Sequence, residues 1–169
     1  MFRHKLNLIL LIALTYSVWC EVITHPSSYD YNYPTSPVLN VSQSDDGLYT
    51  INLNFTIRFQ GVSYSQFTVY SNSFVTFGGS SNTLSNISSL PYPKIFIDAM
   101  DNYATNLSVA ATPDNVTIYY LGRRYSTAFS GVMEWKLTFF NLPTEKFRLD
   151  VLSYNLSSPG DITLCTATN

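Results

Sequence analysis

The chain has 169 residues, of which 46% are hydrophobic and only 12% charged. So few charges exclude a nucleic-acid binder or a disordered acidic tail, and so much apolar content excludes an unfolded chain. A formal net charge of −2 gives no electrostatic reason to expect a polyanionic partner, and two cysteines are too few for a disulfide scaffold or a four-thiolate zinc site. Aromatics reach 15%, led by 13 Tyr and 11 Phe, and with abundant Ser, Thr and Asn they favour strands and turns over helices. The length suits one domain with its own core.

In chain order, the first segment sets the compartment. Arg3, His4 and Lys5 form a positive start, and Leu6 to Leu14, broken only by Asn7, form an apolar run. That run is shorter than the ~20 residues a membrane helix needs, which predicts a signal peptide over residues 1–20 rather than an uncleaved anchor. Cleavage after Cys20 would put Val18 and Cys20 at the −3 and −1 positions; cleavage after Ser17 would put Thr15 and Ser17 there. No later stretch is apolar and long enough to span a bilayer, so a secreted, extracellular protein without a membrane span is expected. Cleavage after Cys20 leaves Cys165 as the only cysteine, open to a disulfide-linked dimer or to burial as an inert thiol. Cleavage after Ser17 keeps Cys20, which could then pair with Cys165.

Six Asn-x-Ser/Thr sequons, at Asn40, Asn54, Asn86, Asn106, Asn115 and Asn155, support export as a glycoprotein. Residues 21–47 read as an irregular, extended N-terminal arm that could hold one edge strand, with Tyr29, Tyr31 and Tyr33 alternating with polar residues before Pro34 and Pro37. The remainder, 48–169, reads as one β-domain. Ile51, Leu53, Phe55, Ile57 and Phe59 alternate with polar residues, a half-buried strand with Asn54 on its polar face. Gly61 marks a turn. Phe67 to Tyr70 and Phe74 to Phe77 flank Ser71-Asn72-Ser73 as a hairpin. Ile95 to Ile97 reads as a strand buried on both faces. Alternation returns around Val116, Ile118 and Tyr120, around Met133, Trp135, Leu137 and Phe139, and around Phe147, Leu149 and Val151, with a last short strand near Ile162 and Leu164. Seven or eight short strands without a convincing helix predict an all-β fold, a single antiparallel β-sandwich of jelly-roll or immunoglobulin-like layering.

The run Phe59-Gln60-Gly61, Tyr64, Phe67, Val69 and Ser71-Asn72-Ser73-Phe74-Val75-Thr76-Phe77-Gly78 resembles the opening of nidogen-like modules and of the ectodomain of plexin-domain-containing proteins. Met100 to Tyr103, Asn115 to Tyr120, Met133-Glu134-Trp135 and Phe147 to Tyr154 resemble their later segments, so the likeness covers about residues 50–165. Ser73 stands where such modules usually have Gly, so this turn is expected to differ. Gln60 replaces a usual aromatic, and Asp98 lies near a usual Pro. The resemblance implies an extracellular adhesion or matrix-interaction module, with no catalytic residue to carry over.

Enzyme chemistry has little to work with. Without its signal peptide the chain keeps one histidine, His25, and no Gly-x-Ser-x-Gly elbow exists to supply a nucleophile. Neither a zinc-ligand cluster nor a phosphate-cradling Gly-rich loop is present. Asp98, Asp101 and Asn102 could supply oxygen ligands to calcium, or could simply cap turns; otherwise no cofactor is expected. Arg123-Arg124 reads as a solvated hairpin tip, and the parity of Trp135 places it in the core. The functional expectation is a secreted, non-catalytic glycoprotein that binds an extracellular protein or glycan. The alternative is a lectin-like carbohydrate-binding module, assisted by calcium.

Overall fold

Period-two alternation gives a strand one oily face, and two sheets must bring such faces together to keep them dry. A computed structural model describes residues 19–24, 38–80, 92–97, 101–125 and 131–156 and shows this arrangement. Among the described residues ten strands run in the order β1 (Trp19–Thr24), β2 (Leu39–Ser44), β3 (Leu48–Phe59), β4 (Val62–Tyr70), β5 (Phe74–Phe77), β6 (Lys94–Phe96), β7 (Asn102–Ala111), β8 (Asn115–Arg124), β9 (Gly131–Phe140) and β10 (Lys146–Leu156). One sheet has six strands in the order β1-β10-β9-β8-β7-β2, and the other has four in the order β3-β4-β5-β6. The expected β-sandwich is present, and no described helix is long and apolar enough to cross a membrane.

Two departures concern the N-terminal region. Residues 21–47, read as an irregular arm with room for one edge strand, hold most of β1 and all of β2, each an outer strand of the larger sheet. The pairing is antiparallel throughout except at β1, which runs parallel to β10 from Trp19 opposite Lys146 to Thr24 opposite Val151. β7 (Asn102–Ala111) lies where the sequence reading placed no strand. The expected strand near Ile162, together with His25, the Tyr29–Tyr33 ladder, Asn86, Asp98 and Cys165, lies outside the described residues.

Turn chemistry fixes the register. Gln60 (φ 52°) and Gly61 (φ 77°) both adopt left-handed backbone at the tip between β3 and β4, the combination that suits the twist of a tight hairpin. The turn between β4 and β5 has left-handed backbone too, at Ser73 (φ 68°), so a residue with a side chain occupies a conformation that favours glycine. A Cβ in that region costs about 1–2 kcal/mol. The serine offsets this with its hydroxyl: Oγ accepts a hydrogen bond from Trp135 Nε1 at 2.9 Å in the buried interior.

Strand directions place the ends of the sandwich. The turns β3–β4, β7–β8 and β9–β10 lie at one end; the loop β2–β3, the turn β4–β5 and the start of β7 lie at the other. At the first end the rings of Phe59, Phe77, Phe139 and Phe147 pack together, with Phe59 and Phe77 stacked at 4.4 Å and Phe77 edge-on to Phe139 at 5.5 Å. There Gly61 N–H donates to Glu145 Oε2 at 3.2 Å, tying a hairpin tip of one sheet to the other. Between the ends, Trp135 is fully buried and stacks on Tyr120 at 5.0 Å, as its parity predicts.

The outward face of the six-stranded sheet is polar yet partly buried. Asp150 is fully buried, with Arg148 at 2.6 Å and Lys136 at 3.3 Å. Tyr119 donates to Glu134, and the hydroxyls of Thr117 and Thr138 pair at 3.2 Å.

Candidate functional site

The loop end carries the densest group of acidic side chains among the described residues. Asp45 and Asp46 come from the tight connection between β2 and β3, and Asp101 immediately precedes β7. Their carboxylate oxygens all lie within 4.8 Å of one another, and all three residues are exposed. The connection is tight because of its glycine. A Cβ on Gly47 would collide with Ser44 Oγ and the Tyr49 hydroxyl, which are themselves hydrogen-bonded at 2.8 Å. Gly47 N–H donates to Ser71 Oγ at 2.8 Å, and Ser71 N–H donates to the Gly47 carbonyl at 2.9 Å. Asp46, at φ 52°, completes the bend. Loop and β4–β5 turn are thereby fastened side by side.

A chain of hydrogen bonds runs under the carboxylates. Asn72 Nδ2 donates to Asp46 Oδ1 at 3.1 Å, and Asn72 Oδ1 accepts from Asn102 N–H at 3.1 Å. Asn102 Oδ1 in turn accepts from Arg124 Nη1 at 3.0 Å. Tyr125 N–H donates to the Asp101 carbonyl at 3.0 Å. Asn72, Asn102 and Arg124 are all buried, so the acidic rim stands on a polar floor held by three separate segments.

Like charges at this distance oppose ionisation. Burial first, then the neighbouring Asp46, raise the Asp45 carboxyl above its usual range, while a hydrogen bond from Tyr125 pulls the other way. Asp101 is raised by burial first and then by Asp45 and Asp46. Three carboxylates offering several oxygens form a donor set suited to a hard divalent cation such as calcium.

Against the residues singled out from sequence, the structure makes a different selection. Asp101 is part of the group. Asn102 is not a free ligand: it is buried, with Oδ1 accepting from Arg124, and it positions its neighbours instead. Asp45 and Asp46, which the sequence reading passed over, supply the other two carboxylates. The signal available was Asp-Asp-Gly between alternating segments, which marks a turn; its closeness to Asp101 is tertiary and leaves no local trace.

Arg123-Arg124 is also corrected. The doublet ends β8 rather than capping a solvated tip. Arg124 is buried beneath the acidic rim, while exposed Arg123 lies 5.4 Å over the Tyr103 ring. Of the sequons, Asn40 and Asn54 are exposed, and Asn106 and Asn115 are half-buried. Asn155 falls in β10, with its side chain outside the described residues.

A second polar site sits at the aromatic end. Glu145 is buried, and its Oε1 has no hydrogen-bond partner among the described residues, nor has Gln60 Oε1. Tyr64 nearby has its phenol raised by burial first and then by the Glu145 charge.

No curated protein and no solved structure matches the chain. A family model described as NIDO related matches residues 22–133, which take in β2 to β8 and the whole acidic rim. With that match spanning well over half of its length, the chain belongs to the nidogen-related family.

Proposed function

We propose that this protein is a secreted, non-catalytic extracellular module that works by binding, in adhesion or within the extracellular matrix. The observation that carries this reading is the nidogen-related match, laid over a β-sandwich whose loop end gathers carboxylates from two segments into one rim. The apolar leader at residues 6–14 and the two exposed sequons support export. Cleavage after Ser17 would keep β1 whole, whereas cleavage after Cys20 would remove its first two residues, Trp19 and Cys20. The test is to express the full chain in a eukaryotic cell and follow it into the medium and onto decellularised matrix. Appearance in the medium with retention on the matrix is expected. A chain kept inside the cell, or one released but never retained, overturns the reading.

A calcium-assisted, lectin-like reading draws on the three grouped carboxylates of Asp45, Asp46 and Asp101. Glycan-array binding that a chelator abolishes, and that Asp45→Asn weakens, would favour it over protein adhesion.

A further inference from the structure

A sheet ends in strands whose outward N–H and C=O groups have no neighbour, and such edges invite pairing with another chain. Among the described residues the outer strands are β1 and β2 in one sheet and β3 and β6 in the other. β6 is only three residues long, which by itself limits pairing. β1 and β2 have six residues each and β3 has twelve; of these, β2 and β3 each carry one sequon and β1 carries none.

The placement of those sequons is alike. On β2, Leu39 and Val41 pack against the core while Asn40 and Ser42 are exposed. On β3, Leu53 and Phe55 pack against the core while Asn54 and Thr56 are exposed. Each strand therefore presents both its asparagine and its hydroxyl residue outward. On β3 the register with β4 also breaks between Asn52 and Ile57, so Asn54 sits where the edge is least paired. By contrast, the half-buried Asn106 and Asn115 lie on β7 and β8, which have neighbours on both sides.

We propose that N-linked glycans at Asn40 and Asn54 guard the outer strands β2 and β3 against pairing with a second copy of this chain. A neighbouring strand must approach to about 4.7–4.9 Å along the edge. A branched sugar on an outward side chain of the outermost strand overhangs that space and excludes the approach. This inference rests on the extracellular reading above, because only the secretory route attaches such glycans.

The test uses the full chain secreted from a eukaryotic cell, with site-resolved mass spectrometry and light scattering over a concentration series. Glycans at Asn40 and Asn54 and a monomeric wild type are expected. The double variants Asn40→Gln/Asn54→Gln and Ser42→Ala/Thr56→Ala both lose the two sequons, the second while keeping both asparagines. Both should self-associate at least tenfold more tightly than wild type, whereas Asn115→Gln should not. If the variants are not secreted, enzymatic removal of glycans from folded wild type must produce the same association. Unchanged self-association after glycan loss, or equal association of Asn115→Gln, overturns the proposal. Glycans at other sequons but at neither of these two overturn the guard alone; no glycan anywhere overturns the extracellular reading as well.

Discussion

The two ends of the sandwich are closed by different chemistry. One is sealed by four phenylalanine rings from β3, β5, β9 and β10; the other by a hydrogen-bond chain from Asp46 through Asn72 and Asn102 to Arg124. Ring packing draws its stability from buried area and fit, whereas each hydrogen bond in the chain depends on a matching donor or acceptor on either side. The aromatic end is therefore suited to holding the sheets together, and the polar end to fixing the positions of exposed side chains.

The contrast is broken most severely at the aromatic end. Phe139 touches Phe67, Phe77 and Phe147, so Phe139→Ala empties the centre of that cluster. A loss of about 3–5 kcal/mol is expected. Against a typical total of roughly 5–15 kcal/mol, that should cut secreted yield sharply, read by denaturant unfolding and by the amount in the medium. A melting temperature within a degree or two of wild type would show that the rings are not what closes this end.

A smaller loss is expected at the polar end. Asn72→Ala removes two links of the chain and leaves the buried Asn102 N–H without its acceptor, a cost of about 1–3 kcal/mol. Its distinguishing mark is positional: the acidic rim should loosen, seen as faster amide exchange at Asp46 and Asn102 with the aromatic end unchanged.

Ser73→Gly sharpens the comparison because two effects oppose one another. Relief of left-handed strain returns about 1–2 kcal/mol, and leaving the buried Trp135 Nε1–H without its acceptor costs about 1–3 kcal/mol. The net loss of unfolding free energy should therefore not exceed about 2 kcal/mol. A larger loss would mean that the Trp135 bond dominates the turn.

The smallest effect is electrostatic and depends on pH. Asp45 and Asp101 hold their protons to higher pH in the folded chain than the ordinary value of 3.8. The folded state thus binds more protons in that window, and stability falls as pH rises from 3.8 through the raised folded values. Asp45→Asn should flatten this slope, because it removes one acid and relieves Asp101. Melting temperature followed across the acid range checks the sign; stability rising through this window in wild type but not in the variant would reverse the assignment.

How far these features can be read from sequence depends on whether they are local. The alternation of β3, β8, β9 and β10 shows in the sequence because each residue's facing repeats every two positions. In β7 the register against β8 shifts between Ala104 and Asn106. Buried Ala104 and buried Leu107 and Val109 are therefore out of phase along the chain, and small alanines dilute the signal further. β2 is short, and left-handed Gln43 sits within it (φ 61°). The acidic rim and the buried role of Arg124 arise only when β2, β7 and β8 become neighbours, so no window along the chain contains them.

The parallel pairing of β1 with β10 also bears on how the protein is made. β7 to β10 form a meander whose partners are consecutive, so that part can assemble from contacts close in the chain. β1 is synthesised before all of them, yet its neighbour among the described residues is β10, with Trp19 set against Lys146. Contacts this distant in sequence form slowly, because a long loop must close before they return any free energy. Until then β10 has an unpaired side, and β1 waits as a free strand. The interval before β1 docks is when a newly made chain is most open to capture by another, and the time when a chaperone has most to do.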